Sequence, residues 1–153
     1  MESLKALLAA AEKKISPDDA EVLLSYAIKK TRGYVLGFPE SRASAKETTL
    51  FLKSAARRSK GEPLHYVLGE REFYKRNFTV KRPILIPRPE TEHLVEAVLE
   101  NLQDTQIIFD IGCGTGAVGI TIALEAAADK RNGQKQKSAK VFLSDVDANA
   151  IKL

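Results

Sequence analysis

The feature that most constrains this 153-residue chain is the run Ile107-Ile108-Phe109-Asp110-Ile111, which leads without a break into Gly112-Cys113-Gly114-Thr115-Gly116. A strand that is apolar at almost every position is what a parallel sheet covered on both faces requires. Three glycines in five residues permit a tight bend and let a ligand approach the backbone without Cβ clashes. The apolar segment from Ala117 to Ala128 reads as a helix whose first N–H groups face whatever lies at the bend. A polar, basic loop over 129–140 follows, and Val141-Phe142-Leu143 reads as a second buried strand ending in Ser144-Asp145. Strand, glycine turn, helix and strand make one right-handed βαβ unit. Asp147 reads as the cap of one more helix.

Two nucleoside cofactors compete for such a turn. Gly114-x-Gly116-x-x-Gly119 satisfies the dinucleotide fingerprint in form, but its register is poor, because the first glycine of that fingerprint follows its strand at once. Asp110 discriminates better. A carboxylate beside the loop repels a pyrophosphate and suits the ammonium of the methionine tail of S-adenosylmethionine. An acid at the end of the next strand can accept both hydroxyls of a ribose. Asp145 stands there, 29 residues beyond Gly116 rather than the roughly 20 expected, with the basic loop as the insertion. Asp147 is its rival for that role. Cys113 offers its backbone to a ligand, and no partner base suggests a nucleophilic or redox role.

The first half reads as helices. Leu4, Leu7, Leu8, Ala11 and Ile15 recur at helical spacing. Ser16 caps a second helix with Pro17 at its first position and Asp18 and Asp19 in its first turn. Val22, Leu23, Ala27 and Ile28 form its stripe, and Thr31–Gly33 mark its end. A third helix runs from Ser44 to Ser59 with Leu50, Phe51, Leu52 and Ala55 on its apolar side. Stripes of this kind are buried by packing as a small antiparallel bundle. After Gly61, prolines and glycines punctuate a stretch in which Phe73, Phe78, Val80, Ile84 and Ile86 suggest two short strands. A helix follows from Glu90 to Leu102, burying Leu94, Val95, Val98 and Leu99. Glu90 and Glu92 suit its positive end.

Composition narrows the function classes. With 44% hydrophobic and 29% charged residues the chain is neither disordered nor low in complexity. No apolar run reaches the roughly 18 residues of a membrane helix, and Glu2 and Lys5 argue against a signal peptide. The single cysteine precludes an intrachain disulfide and fits a reducing, cytoplasmic compartment. With two histidines, His65 and His93, beside it, no zinc cluster and no other metal site is expected. The net charge of +4 sits in the first half, where residues 1–75 hold 14 Lys/Arg against 10 Asp/Glu. Lys53, Arg57, Arg58 and Lys60 concentrate it, either as a solvated helix face or as a docking surface for an acidic partner or RNA. No aromatic–basic ladder for single-stranded nucleic acid is present, so direct nucleic-acid binding is not expected.

Gly61-Glu62-Pro63, Gly69-Glu70-Arg71-Glu72-Phe73 and Leu85-Ile86-Pro87-Arg88-Pro89-Glu90-Thr91-Glu92-His93-Leu94-Val95 stand in order before the glycine turn. On these residues, and on Asp19-Ala20-Glu21-Val22-Leu23-Leu24, the chain resembles the HemK/PrmC family, the S-adenosylmethionine-dependent methyltransferases of peptide chain release factors. The resemblance implies an α/β chain: a helical substrate-docking bundle over 1–72, a β-hairpin linker over 73–89, and over 90–153 the start of a Rossmann-like methyltransferase domain with an incomplete sheet. It implies S-adenosyl-L-methionine as cofactor, its methionine part held by Asp110, Gly112, Cys113, Gly114, Thr115 and Gly116 and its ribose by Asp145. The Pro87–Glu92 segment would lie near the cofactor and the substrate entrance, with no individual roles for Arg88, Glu90 and Glu92.

The implied reaction is methylation of the side-chain amide of the glutamine in the release factor's Gly-Gly-Gln motif, in support of translation termination, by a monomer without membrane contact. An amide nitrogen is a poor nucleophile, so orientation at about 3 Å and preorganised acceptors carry such a reaction. The family supplies those acceptors from an Asn-Pro-Pro-Tyr motif beyond the position of Leu153. No catalytic residue is therefore expected within this chain, which reads as an N-terminal part that is inactive by itself. Two other readings stand beside it: an NAD(P)-dependent oxidoreductase fragment on the looser glycine match, and a non-catalytic module that docks a release factor or RNA.

Overall fold

Serine and threonine hydroxyls decide where the helices of the first half begin. The computed structural model describes residues 2–102, 106–128 and 139–153, and the chain divides into the units Met1–Leu68 and Gly69–Leu153. Ser3 accepts from the N–H of Ala6 at the start of α1 (Leu4–Ala11), and Ser16 accepts from Asp19 at the start of α2 (Pro17–Ile28). Thr31 caps α3 (Arg32–Gly37) through Tyr34. At α4 (Ala45–Ser59) a full capping box forms, with Glu47 N–H on Ser44 Oγ and Ser44 N–H on Glu47 Oε2. Each such cap contributes about 1 kcal/mol. Helix α5 (Leu64–Leu68) ends the unit.

Helix α2 is the hub, packed on α1, α3 and α4. Leu4, Leu7, Leu23, Leu24, Val35 and Phe51 are fully buried around it. It stops earlier than its sequence stripe suggests, at Ile28, because Lys29 turns left-handed with φ of 53°. Thr31 is thus a cap for α3 rather than the end of α2. On α4 only Phe51 of the adjacent leucine–phenylalanine–leucine trio is buried, while Leu50 and Leu52 are exposed. Neighbouring positions point about 100° apart on a helix and cannot all face one side. Ser54, one turn on, is buried instead.

The two arginines of the basic cluster are spent within this unit. Arg57 grips Glu62 through Nε (2.8 Å) and Nη2 (2.6 Å), and also donates to the carbonyls of Tyr66 and Val67. Arg58 pairs with Asp19 of α2 at 2.8 Å and donates to the carbonyl of Glu62. Two of the four cations therefore fasten α4 to α2 and α5.

In the second unit, β1 (Glu70–Phe73) and β2 (Arg76–Thr79) form an antiparallel hairpin with Phe73 opposite Arg76. This corrects the expected strands, which reached past Val80 to Ile86. Pro83 has no N–H for a ladder, and Ile84 N–H turns back to the carbonyl of Lys81. Val80 and Ile84 are buried outside any strand. The hairpin turn is Tyr74-Lys75, both left-handed with φ of 50° and 62°, the backbone a two-residue hairpin needs. A short 3₁₀ turn (Pro89–Thr91) leads into α6 (Glu92–Asn101), so the helix proper starts after the expected Glu90. Val95 is fully buried, but Leu94 is exposed.

Strand β3 (Gln106–Ile111), helix α7 (Ala117–Ala128) and strand β4 (Ala139–Ser144) follow, with β3 and β4 parallel and Asp110 opposite Leu143. Residues 129–138 of the expected basic loop lie outside the described residues. Among the described residues the strands are not covered on both faces. Ile107, Phe109 and Ile111 are 64%, 67% and 83% exposed, whereas Ile108 joins the core of Phe73, Phe78, Val95, Ala117 and Ile122. An apolar residue at every position is compatible with one open face, because alternation is set by the pleat and not by the residue types. The helix expected after Asp147 is a run of turns, with Ala150 N–H on the carbonyl of Asp147.

Candidate functional site

Between Ile111 and Ala117 the chain must reverse from strand to helix. Gly112, Gly114 and Gly116 do this with φ of +80°, +56° and +74°, a region that costs a residue with a side chain about 1–2 kcal/mol. Neighbouring strand β4 holds the turn: the N–H groups of Gly112 and Cys113 both donate to the carbonyl of Ser144, at 2.8 and 3.0 Å. Gly116 N–H donates to the carbonyl of Cys113 at 2.8 Å.

Asp110 lies one residue before the end of β3, and its Oδ2 accepts from Gly119 N–H of α7 at 3.0 Å. Asp145, just past β4, accepts from Gly114 N–H on Oδ2 at 2.7 Å and from Asp147 N–H on Oδ1 at 2.9 Å. The Asp147 and Gly114 amides hold the Asp145 carboxyl below the ordinary carboxylate range. The two acids of the sequence reading thus flank the turn, Asp145 bonding to its backbone at Gly114 and Asp110 to the first part of the helix that follows it. Asp147 is engaged locally, its Oδ1 accepting from the N–H and side-chain amide of Asn149. Burial, then the charges of Asp110 and Asp145, push the Cys113 thiol up, so it is protonated at neutral pH and a poor nucleophile.

Gly112 to Thr115 and the start of α7 form one wall of a cleft of about 170 Å³, and Leu85, Ile86, Pro87, Arg88 and Thr91 form part of the other. The glycine turn and the Ile-Pro-Arg-Pro segment, apart in sequence, share one cavity. Glu90 is exposed and does not line it. Glu92 points elsewhere, accepting from Tyr74 N–H at 3.0 Å, and so ties the hairpin to α6.

Sequence reasoning missed the packing role of Gly119. A Cβ there would run into Leu143 Cδ2 and come within 3.0 Å of Asp110 Oδ2 and 3.1 Å of Val141 Cγ1. The signal was present, since the third glycine of a dinucleotide fingerprint serves close helix–strand packing. Among the described residues no group of three or more His, Cys, Asp or Glu side chains could hold a metal ion, and no helix is long and apolar enough to cross a membrane.

Residues 1–69 match the PrmC N-terminal domain family. A release factor glutamine methyltransferase of Neisseria gonorrhoeae is 47% identical over 114 residues, covering 73% of this chain and 41% of the relative. Proteins of the same name from Koribacter versatilis (43% over 109 residues, 69% of this chain, 39% of the relative) and Coxiella burnetii (38% over 132 residues, 85% and 48%) are similar. The N-terminal part of the chain belongs to the PrmC family. It spans less than half the length of these relatives. The similarity to PrmC proteins extends beyond the N-terminal domain, because 132 matched residues cannot be accommodated within residues 1–69. Part of the second unit is therefore matched as well.

Proposed function

We propose that the second unit is the cofactor-binding part of an S-adenosyl-L-methionine-dependent methyltransferase, and that the whole enzyme methylates the glutamine side-chain amide in the Gly-Gly-Gln motif of peptide chain release factors. The observation that carries this is the placement of Asp110 and Asp145 at the ends of adjacent parallel strands, on either side of a left-handed glycine turn that opens on a cleft. The names of the relatives support the substrate.

The donor set fits the cofactor. Asp110 has one oxygen on Gly119 N–H, and its other oxygen suits an ammonium group. Oδ1 of Asp145 accepts from Asp147 N–H and Oδ2 from Gly114 N–H, and a carboxylate oxygen has capacity for a second donor, such as a ribose hydroxyl. Gly112, Gly114 and Gly116, with Cys113 and Thr115 between them, bring backbone rather than side chain to the methionine part. Leu85, Ile86 and Pro87 bring apolar surface to the facing wall. When bound, the cofactor supplies a methyl group activated by positive sulfur. The acceptors that orient the substrate amide would come from the family's Asn-Pro-Pro-Tyr motif, and the helical first unit would help to grip the release factor in the cytoplasm.

Calorimetric titration with S-adenosylhomocysteine tests the cofactor. Binding that weakens at least tenfold in Asp110→Asn, with none for NADH or NADPH, is the expected result. Nicotinamide binding in competition with S-adenosylhomocysteine would instead favour an oxidoreductase. Methyl transfer to a release factor, lost when its glutamine is replaced by alanine, tests the reaction on an enzyme of the relatives' full length.

A further inference from the structure

We infer that Asp145 fixes the glycine turn before any ligand arrives, and is thus a positioning residue for the site as well as a ligand contact. Its role toward ligand rests on the cofactor reading above, whereas its role in the turn does not. The amides of Gly112 and Cys113 are held by the carbonyl of Ser144, and that of Gly116 by the carbonyl of Cys113. The amide of Gly114, at the centre of the turn, is held by the Asp145 carboxylate at 2.7 Å. A bond that short to a charged acceptor is of the stronger kind. Asp147 N–H on the other oxygen sets the carboxylate's rotation, so both ends of the side chain are defined from β4 onward. Gly114 is half-buried, and without Asp145 its N–H would lose a charged acceptor. The turn therefore meets its ligand already shaped, with lone pairs of Asp145 still open to hydroxyl donors.

Amide hydrogen exchange by NMR on the ligand-free chain tests the turn. Exchange at Gly114 should be about ten- to a hundredfold faster in Asp145→Ala, while Gly119, bonded to Asp110, keeps its native rate. Where Asp145→Ala loses protection throughout α7, Asp145→Asn decides. It keeps the shape and one neutral acceptor, and several-fold faster exchange at Gly114 with Gly119 unchanged is expected. A native rate at Gly114 in Asp145→Asn, or in a folded Asp145→Ala, overturns the inference.

The ligand arm compares S-adenosylhomocysteine with its 2′,3′-dideoxy analogue. A residue that only contacts the ribose would, on Asp145→Asn substitution, cost affinity for the first and none for the second. A residue that also shapes the turn costs both, the analogue by about threefold or more; unchanged affinity for the analogue overturns the positioning role. Failure of the native chain to bind either compound would refute the cofactor reading, and the exchange experiment would then decide the turn-fixing role by itself.

Discussion

The N–H of Gly119 and the Oδ2 of Asp110 lie 3.0 Å apart, and the absence of a Cβ at position 119 is what lets them meet. Helix α7 is thereby drawn onto β3 and β4 closely enough for Leu143 and Val141 to occupy the space a side chain would take. Gly119→Ala should lower stability by about 1 kcal/mol, overpacking of about 1–3 kcal/mol being partly offset by about 1 kcal/mol of helix propensity. Urea unfolding measures this. In a Leu143→Ala background Gly119→Ala should cost less than in the native chain, and an undiminished cost would place the clash at Asp110 Oδ2 and Val141 Cγ1 instead of Leu143.

The hairpin turn offers the opposite case. Lys75 adopts φ of 62°, where a side chain costs about 1–2 kcal/mol and glycine costs only its greater freedom when unfolded. Lys75→Gly should therefore raise stability by about 0.5 kcal/mol. A rise in the urea midpoint with unchanged slope is the expected observation; a fall would mean that the lysine side chain contributes contacts of its own.

Arg57 and Lys53 belong to the same basic cluster and should behave differently. Arg57 is half-exposed, so its ion pair with Glu62 is screened, but its bonds to the carbonyls of Tyr66 and Val67 have no substitute. Arg57→Ala should cost about 1 kcal/mol and Lys53→Ala less than about 0.5 kcal/mol. Thermal unfolding of the two variants side by side makes the comparison.

Asp145 gives the molecule a pH signature. Its carboxyl lies below the ordinary range when folded, so its contribution to stability is complete above the unfolded value of about 4 and is lost as pH falls through the lower folded value. The stability difference between the native chain and Asp145→Asn should be constant from pH 7 to pH 5 and close only below about pH 4. A difference that shrinks already near neutrality would contradict the assignment.

The open face of β3 and β4 predicts self-association. Phe109 and Phe142 stack at 5.2 Å between ring centres, with Ile107 and Ile111 on either side of Phe109 in the same row. Contiguous exposed apolar surface promotes association. Phe109→Lys should reduce the sedimentation-average mass at high concentration, at a cost in stability of about 0.5–1.5 kcal/mol from the lost stacking on Phe142.

Local chemistry was the readable part of this chain. Ser16, Ser44 and the first-turn acids announce helix starts because a cap needs only residues three positions apart. Gly112, Gly114 and Gly116 announce a turn because few other residues accept that backbone. Burial was harder to read. The Ile107–Ile111 run gives no hint that alternate residues face outward, because exposure depends on what covers the sheet. Leu50, Leu52 and Leu94 are apolar yet exposed because each adjoins a residue, Phe51 or Val95, that takes the buried side of its helix. The site was readable in part: the acids beside the turn follow from spacing along two strands, but the backbone bonds of Asp145 and the crowding at Gly119 depend on the register Asp110 opposite Leu143, which no single segment encodes.

That register has a consequence for the order of events in folding. Gly112, Cys113 and Gly114 take their hydrogen-bond partners from Ser144 and Asp145, the last pair 31 residues apart. Closing such a span costs chain entropy before any bond rewards it. Helices α1 to α4 have their caps within three residues and can form while the chain is short. The glycine turn has to wait for β4, so on a ribosome it takes shape only after Asp145 has left the exit tunnel. Pulse labelling during refolding should accordingly find the Gly114 amide protected no earlier than those of β4.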